Sequence, residues 1–123
     1  MKAHDIRETM SGEPHFGDGD ESGKAAFWMA QSFSGGAVWM GQWEGTSPWE
    51  LHPDSDEFLH TLEGSAQVTL LTEAGEELVE IPAGSVFVVP KGVWHKQRAN
   101  AKVVQMGVTP GATRHSTADD PRS

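Results

Sequence analysis

Between residues 25 and 108 the chain is cut by glycine and proline into short runs of strand-forming residues, with almost none of the apolar repeat that marks a helix. Phe27, Trp28, Met29 and Phe33 form one run, and Val38, Trp39, Met40 and Trp43 form the next. Ser34-Gly35-Gly36 between them predicts a hairpin over residues 25–44. Further runs follow at 49–52, 57–62, 67–71, 77–81, 86–89, 93–98 and 102–108. Pro48, Pro53, Gly64, Gly75, Pro82, Gly84, Pro90, Gly92 and Pro110 punctuate them. Many short strands joined by turns specify an all-β sandwich or barrel, and a closed form is favoured because closure removes exposed strand edges.

The 123 residues suit one domain with a modest core. The strand signals place a barrel over 25–110, preceded by an arm or loop over 1–24 in which glycine and acidic residues can bury little. A polar, loose tail is expected over 111–123. No apolar stretch is long enough for a membrane span, and the start at Met1-Lys2-Ala3-His4-Asp5 does not read as a signal peptide, so the expected location is the cytoplasm. Nine Lys and Arg against a net charge of −9 argue against nucleic-acid and anionic-membrane partners. With no cysteine, any metal must be held by His, Asp, Glu or backbone oxygen.

Glu50 and His52 are two apart in an expected strand, so their side chains leave the same face. Glu57 follows after Pro53-Asp54-Ser55-Asp56, a turn-forming insert that lets the next strand return antiparallel. His95 follows the turn signal Pro90-Lys91-Gly92, which would bring it back beside Glu50 and His52. Any one of these residues alone reads as a solvated surface group; their spacing raises the odds of a site. Imidazole with carboxylate suits manganese, iron, nickel or zinc better than calcium.

These segments resemble the cupin superfamily over residues 45–100. The first cupin motif, G-x5-H-x-H-x3/4-E-x6-G, is matched by Gly45, Glu50, His52, Glu57 and Gly64, with the leading interval one residue short and Glu50 where the family has histidine. The second, G-x5-P-x-G-x2-H-x3-N, is matched by Gly84, Pro90, Gly92 and His95, with Asn100 one position late. The resemblance implies a double-stranded β-helix, or jelly-roll, barrel holding one divalent metal ion. Carried over position by position, the ligands are His52, Glu57 and His95, with Glu50 in the remaining place. Glu50 is either a fourth ligand, which favours manganese or iron, or an unliganded acid or base beside Glu57. Residues 38–44 and 56–64 also resemble the cupin branch that includes ureidoglycine aminohydrolase-like proteins.

Leu59 and Thr61 share a strand face with Glu57, and Gln97 shares one with His95, making them candidate pocket residues. Trp94 and Met106 are candidate walls over the metal, although tryptophan at this density reads first as core or interface filler. His60 falls on the opposite face from Glu57; His4, His15 and His115 read as surface residues. The expected function is a metal-dependent enzyme acting on a small, oxygen-rich or anionic organic molecule, its reaction and catalytic residues unspecified. The alternative is a non-catalytic module that binds or senses a small molecule. The Trp-rich hairpin offers more apolar surface than so small a core covers, which predicts a homodimer.

Overall fold

The computed structural model describes residues 1–14, 16–17 and 25–122; His15 and residues 18–24 of the expected arm lie outside the described residues. In chain order the elements are α1 (Ile6–Met10), β1 (Phe16–Gly17), β2 (Ala26–Phe33), β3 (Gly36–Thr46), β4 (Trp49–Leu51), β5 (Glu57–Glu63), β6 (Ser65–Thr72), β7 (Gly75–Pro82), β8 (Val86–Val89), β9 (His95–Thr109) and β10 (Arg114–Ser116). Among the described residues the strands form one 10-stranded sheet with the path β1-β2-β3-β9-β4-β10; β5 links β8 to β9, and β6 links β7 to β9. All the pairings are antiparallel. The sheet curls on itself around β9, giving the all-β barrel that the strand spacing predicts, in the jelly-roll form that the resemblance implies.

The predicted hairpin is β2–β3. Its two-residue turn places Ser34 at φ 43° and Gly35 at φ 79°, the left-handed pair whose twist matches that of the flanking strands. Gly64 turns β5 into β6 at φ 77°, where a Cβ would sit 2.6 Å from the carbonyl oxygen of Lys102; only glycine fits both constraints.

The runs at 93–98 and 102–108 are one strand in the structure, not two. The first half of β9 pairs with β6 and the second with β5, while β3 follows both halves with a register shift between Trp43 and Gly45. Asn100, Ala101 and Lys102 are exposed at the junction, where the strand bends from one side of the barrel to the other without breaking.

Leu59, Val68, Leu70, Ile81 and Val89 form one core cluster, and Trp43, Ala66, Ala99 and Val103 form a second. Along β5 the inward residues Glu57, Leu59 and Thr61 are buried, whereas Phe58, His60 and Leu62 are only half-buried, placing His60 on the face predicted for it. Trp28, Trp43 and Trp49 are all buried within the chain.

The described residues at both ends of the chain make contacts with the barrel. Asp5 caps α1 by accepting from the Glu8 N–H at 2.9 Å, and the Trp28 Nε1–H donates to the Gly12 carbonyl at 2.9 Å. Near the C-terminus, Arg114–Ser116 add to β4 as β10, and the Trp49 Nε1–H donates to the Asp119 carbonyl at 3.3 Å. A polar composition is compatible with this because β10 is an edge strand whose backbone ladder, not an apolar face, holds it in place.

Candidate metal centre

His52 lies just past β4, Glu57 opens β5 and His95 opens β9. The intervening turns bring them together. Asp56 Oδ1 accepts from the Lys91 N–H at 2.8 Å and the His52 carbonyl accepts from the Gly92 N–H at 2.9 Å, so the 53–56 insert and the Pro90-Lys91-Gly92 turn clamp each other. Glu50 then pairs with His95 across the β4–β9 ladder, as the turn predicts.

The ligand atoms of His52, Glu57 and His95 lie within 4.8 Å of one another, and the residues are 2 %, 4 % and 1 % exposed. His52 Nε2 is 3.2 Å from Glu57 Oε2, and His95 Nε2 is 3.4 Å from Glu57 Oε1. Donor atoms sharing an ion at bonds of about 2.0–2.2 Å stand roughly 3–4 Å apart, so these separations fit a common divalent metal. His52 Nε2 and His95 Nε2 are also buried without a hydrogen-bond partner among the described residues, an arrangement costly for a polar atom unless something binds there.

Surrounding groups fix how each ligand is presented. His95 Nδ1 is 3.0 Å from the Val93 carbonyl, which can only accept; Nδ1 therefore carries the proton, leaving the Nε2 lone pair toward Glu57 when the ring is neutral. His52 Nδ1 is 3.0 Å from Thr113 Oγ1, which orients the second ring. The Trp39 Nε1–H donates to Thr109 Oγ1 at 2.8 Å, and the Thr109 hydroxyl donates to Glu57 Oε2 at 2.5 Å. That hydroxyl proton is thereby committed to the carboxylate.

Burial by itself would raise the Glu57 carboxyl, but the His52 and His95 rings set against it and the Thr109 hydroxyl hold it down to about 2. Burial works against the charged form of His95, yet Glu57, the Val93 carbonyl and the charge of Glu50 raise its pKa. Glu50 is raised by burial and by the Glu57 charge, against the opposing pull of His95, His115 and His52. Glu57 is thus the anionic centre of the cluster.

Glu50 stands outside the three-residue cluster: its Oε2 is 3.2 Å from His115 Nε2. His115 is exposed, as its sequence context suggests, but the β4–β10 pairing that places it opposite Glu50 has no local sequence signature.

A cleft of about 1360 Å³ opens over the cluster, lined in part by Glu50, His52, Glu57, Gln97, Thr113 and His115. Of the expected pocket residues, Gln97 lines it. Leu59 packs in the first core cluster and Thr61 is fully buried beside Gln105, whose Nε2 donates to Thr61 Oγ1 at 3.4 Å. Trp94 is half-buried and does not line the cleft; Met106, opposite His60 in the β5–β9 ladder, alternates with inward Gln105 and lies on the outer face. The bend in β9 sets that parity. Thr109, Thr113 and Trp39 were not expected from sequence, because each reaches the cluster through contacts distant along the chain.

The cupin domain pattern matches residues 39–115, more than half of the chain. Germin-like protein subfamily 2 member 2 of Arabidopsis thaliana is 37% identical over 59 residues, 47% of this chain, which spans only 27% of that protein. A cupin-2 domain containing protein from Shewanella frigidimarina superposes with a TM-score of 0.58 at 23% identity, covering 74% of this chain and 80% of the other. Oxalate decarboxylase from Bacillus subtilis, a protein with Mn(II) centres, superposes at 0.67 with 16% identity, covering 87% of this chain and 30% of the other. At such identities the solved structures establish the shared barrel, and the domain match establishes descent. The chain belongs to the cupin family.

Proposed function

We propose that the chain is a metal-dependent enzyme acting on a small organic molecule, with one divalent ion held by His52, Glu57 and His95. The observation that carries this reading is the pair of buried imidazole nitrogens that flank Glu57 without a hydrogen-bond partner among the described residues. Glu50 is the proposed fourth ligand: it shares a strand face with His52 and exchanges His115 for the ion. Two imidazoles and two carboxylates favour manganese or iron, with nickel or zinc next, and the Mn(II) centres of B. subtilis oxalate decarboxylase support manganese. Such an ion supplies Lewis acidity or redox chemistry at its open positions.

The chain's own residues prepare the site. Val93 and Thr113 hold the two rings, Thr109 holds the carboxylate, and burial keeps bulk water from the donor atoms. Gln97, at the cleft, is the proposed residue that orients a bound molecule. Pairing of two chains is proposed on the outer face of β8 and β5, where Val86 and Val88 are 59% and 49% exposed beside His60 and Phe58.

The test is metal content. Purified protein dialysed against a weak chelator is expected to retain about one equivalent of manganese or iron, and His52→Ala and His95→Ala to lose it while keeping a β-rich circular dichroism spectrum. Unchanged metal content in both variants overturns the metal assignment. Retained metal without turnover across a broad screen of small acids, phenols and amides supports the non-catalytic module instead.

A further inference from the structure

The wall of the cleft that faces the cluster is aromatic. Phe27 on β2 and Trp39 on β3 line it, their rings 5.9 Å apart in an edge-on pair at 71°. Both lie over glycines. A Cβ at Gly107 would fall 2.2 Å from the Trp39 ring, and one at Gly41 would fall 2.7 Å from the Phe27 ring, so each ring is pressed against the sheet backbone. Trp39 is further fixed through its N–H to Thr109, which itself bonds Glu57. The aromatic surface is therefore preformed and one hydroxyl removed from the proposed metal ligand.

Charge limits what can lie there. Glu50, Glu57 and Asp119 line the cleft, and among the described residues Lys96 is the only Lys or Arg that does. Lys96 is engaged with Trp49, its Nζ lying 4.4 Å from the ring centroid. A small dianion entering the cleft would lose hydration and meet the carboxylates of Glu50, Glu57 and Asp119, with the charge of the proposed ion already offset by Glu50 and Glu57 and Lys96 engaged with Trp49. A flat uncharged ring gives up little hydration and gains contact with Phe27 and Trp39. The cleft, at about 1360 Å³, also far exceeds what a small diacid fills.

Gln97 gives the cleft a polar handle. Gln97 and Gln105 bond each other reciprocally, Nε2 to Oε1, at 3.0 and 2.9 Å. That pairing uses one amide hydrogen of Gln97 and one lone pair of its carbonyl oxygen, leaving one of each for a molecule in the cleft.

We propose that the cleft takes a small molecule with a flat, uncharged aromatic face and a single oxygen-bearing head directed at the metal and Gln97, and that it discriminates against small dicarboxylates. This rests on the metal reading above and names the substrate class of that site.

The test is calorimetric titration with 2-naphthol, neutral at pH 7 and carrying one hydroxyl, and with malonate. Each is titrated into full-length protein both loaded with manganese and stripped by chelator, with metal content measured in parallel. The loaded protein is expected to bind 2-naphthol at least about 100-fold more tightly than malonate. Removing the stacking face in Trp39→Leu or in Phe27→Leu should weaken 2-naphthol about tenfold, whereas Trp39→Phe stays within about threefold. Equal or tighter malonate binding overturns the proposal. So does 2-naphthol affinity unchanged in both Leu variants, of which Phe27→Leu guards against a fold defect at Trp39. If the protein takes up metal but does not bind 2-naphthol, this proposal falls alone. If it takes up no metal but still binds 2-naphthol in a Trp39-dependent way, the metal reading falls and the aromatic assignment stands.

Discussion

Replacing Thr109 by Val removes one hydroxyl and keeps a β-branched side chain of nearly the same volume, so it tests the link between the aromatic wall and Glu57 with little change in packing. The hydroxyl accepts from the Trp39 Nε1–H and donates to Glu57 Oε2. Losing a hydrogen bond to a charged group costs about 1.5–3 kcal/mol, and stranding a partly buried N–H adds about 1 kcal/mol at the low end of its range. The expected destabilisation of the metal-free protein is therefore about 3 kcal/mol. At roughly 2.1 cal/mol/K of unfolding entropy per residue, a 123-residue chain loses on the order of 10 °C in Tm. Metal affinity should fall about 10- to 100-fold, the usual consequence of removing a group that orients a ligand. Thr109→Ser, which keeps the hydroxyl, should recover most of both losses. Differential scanning calorimetry and competition with a metal-binding dye read the two effects. In a Trp39→Phe background the Val substitution should cost about 1 kcal/mol less, since the N–H is already gone. If Thr109→Val stays within about 0.5 kcal/mol of the parent and binds metal equally well, the Trp39–Thr109–Glu57 chain does not operate in solution.

For Glu50, Glu50→Gln should weaken manganese binding about tenfold or more, whereas Glu50→His should retain binding and shift preference toward nickel or copper; parent-like manganese affinity in Glu50→Gln would remove it from the ligand set. The pH dependence of metal-free stability follows from the two opposed shifts. Glu57 is held at about 2 against an ordinary 4.5, so its contribution of about 3 kcal/mol is whole above pH 4.5 and drains away as the pH falls toward 2. His95 is raised above its ordinary 6.5, so its contribution is whole below that value and is lost as the pH rises through the folded one. Urea unfolding should accordingly show a maximum on the mildly acidic side of neutrality. Glu57→Gln should flatten the acid limb, and an acid limb unchanged in that variant refutes the assignment. On assembly, light scattering at micromolar concentration should give the mass of two chains, and Val88→Glu should give one; a monomeric parent overturns the pairing.

The barrel was legible before any coordinates because turn chemistry and strand-forming runs are local properties. Ser34-Gly35, Gly64, Gly84 and Gly92 adopt positive φ at or near the predicted breaks, where glycine or a small polar residue relieves the steric cost of a left-handed backbone. His52, Glu57 and His95 were legible as a set because a two-residue alternation and two turns fix which face each leaves, and the family motif names the same positions. Glu50 was expected on the His52 face, but the sequence alone carried no sign that His115 would meet its carboxylate.

What the linear chain determined, then, was the kind of fold, the turns and the residues that can ligate. The tertiary structure alone decided what surrounds them. Thr109, Thr113 and Trp39 reach the cluster across separations such as 52, 61 and 70 residues. Their hydroxyls and indole N–H carry no local signature, because a Thr on a strand looks the same whether it meets water or a buried carboxylate. The inward or outward sense of Gln105 and Met106 depended on how β9 carries its pleat past the exposed bend at Asn100 to Lys102. A slip of one residue there would exchange the two faces, and only the pairing of β9 with β3, β5 and β6 at once excludes it.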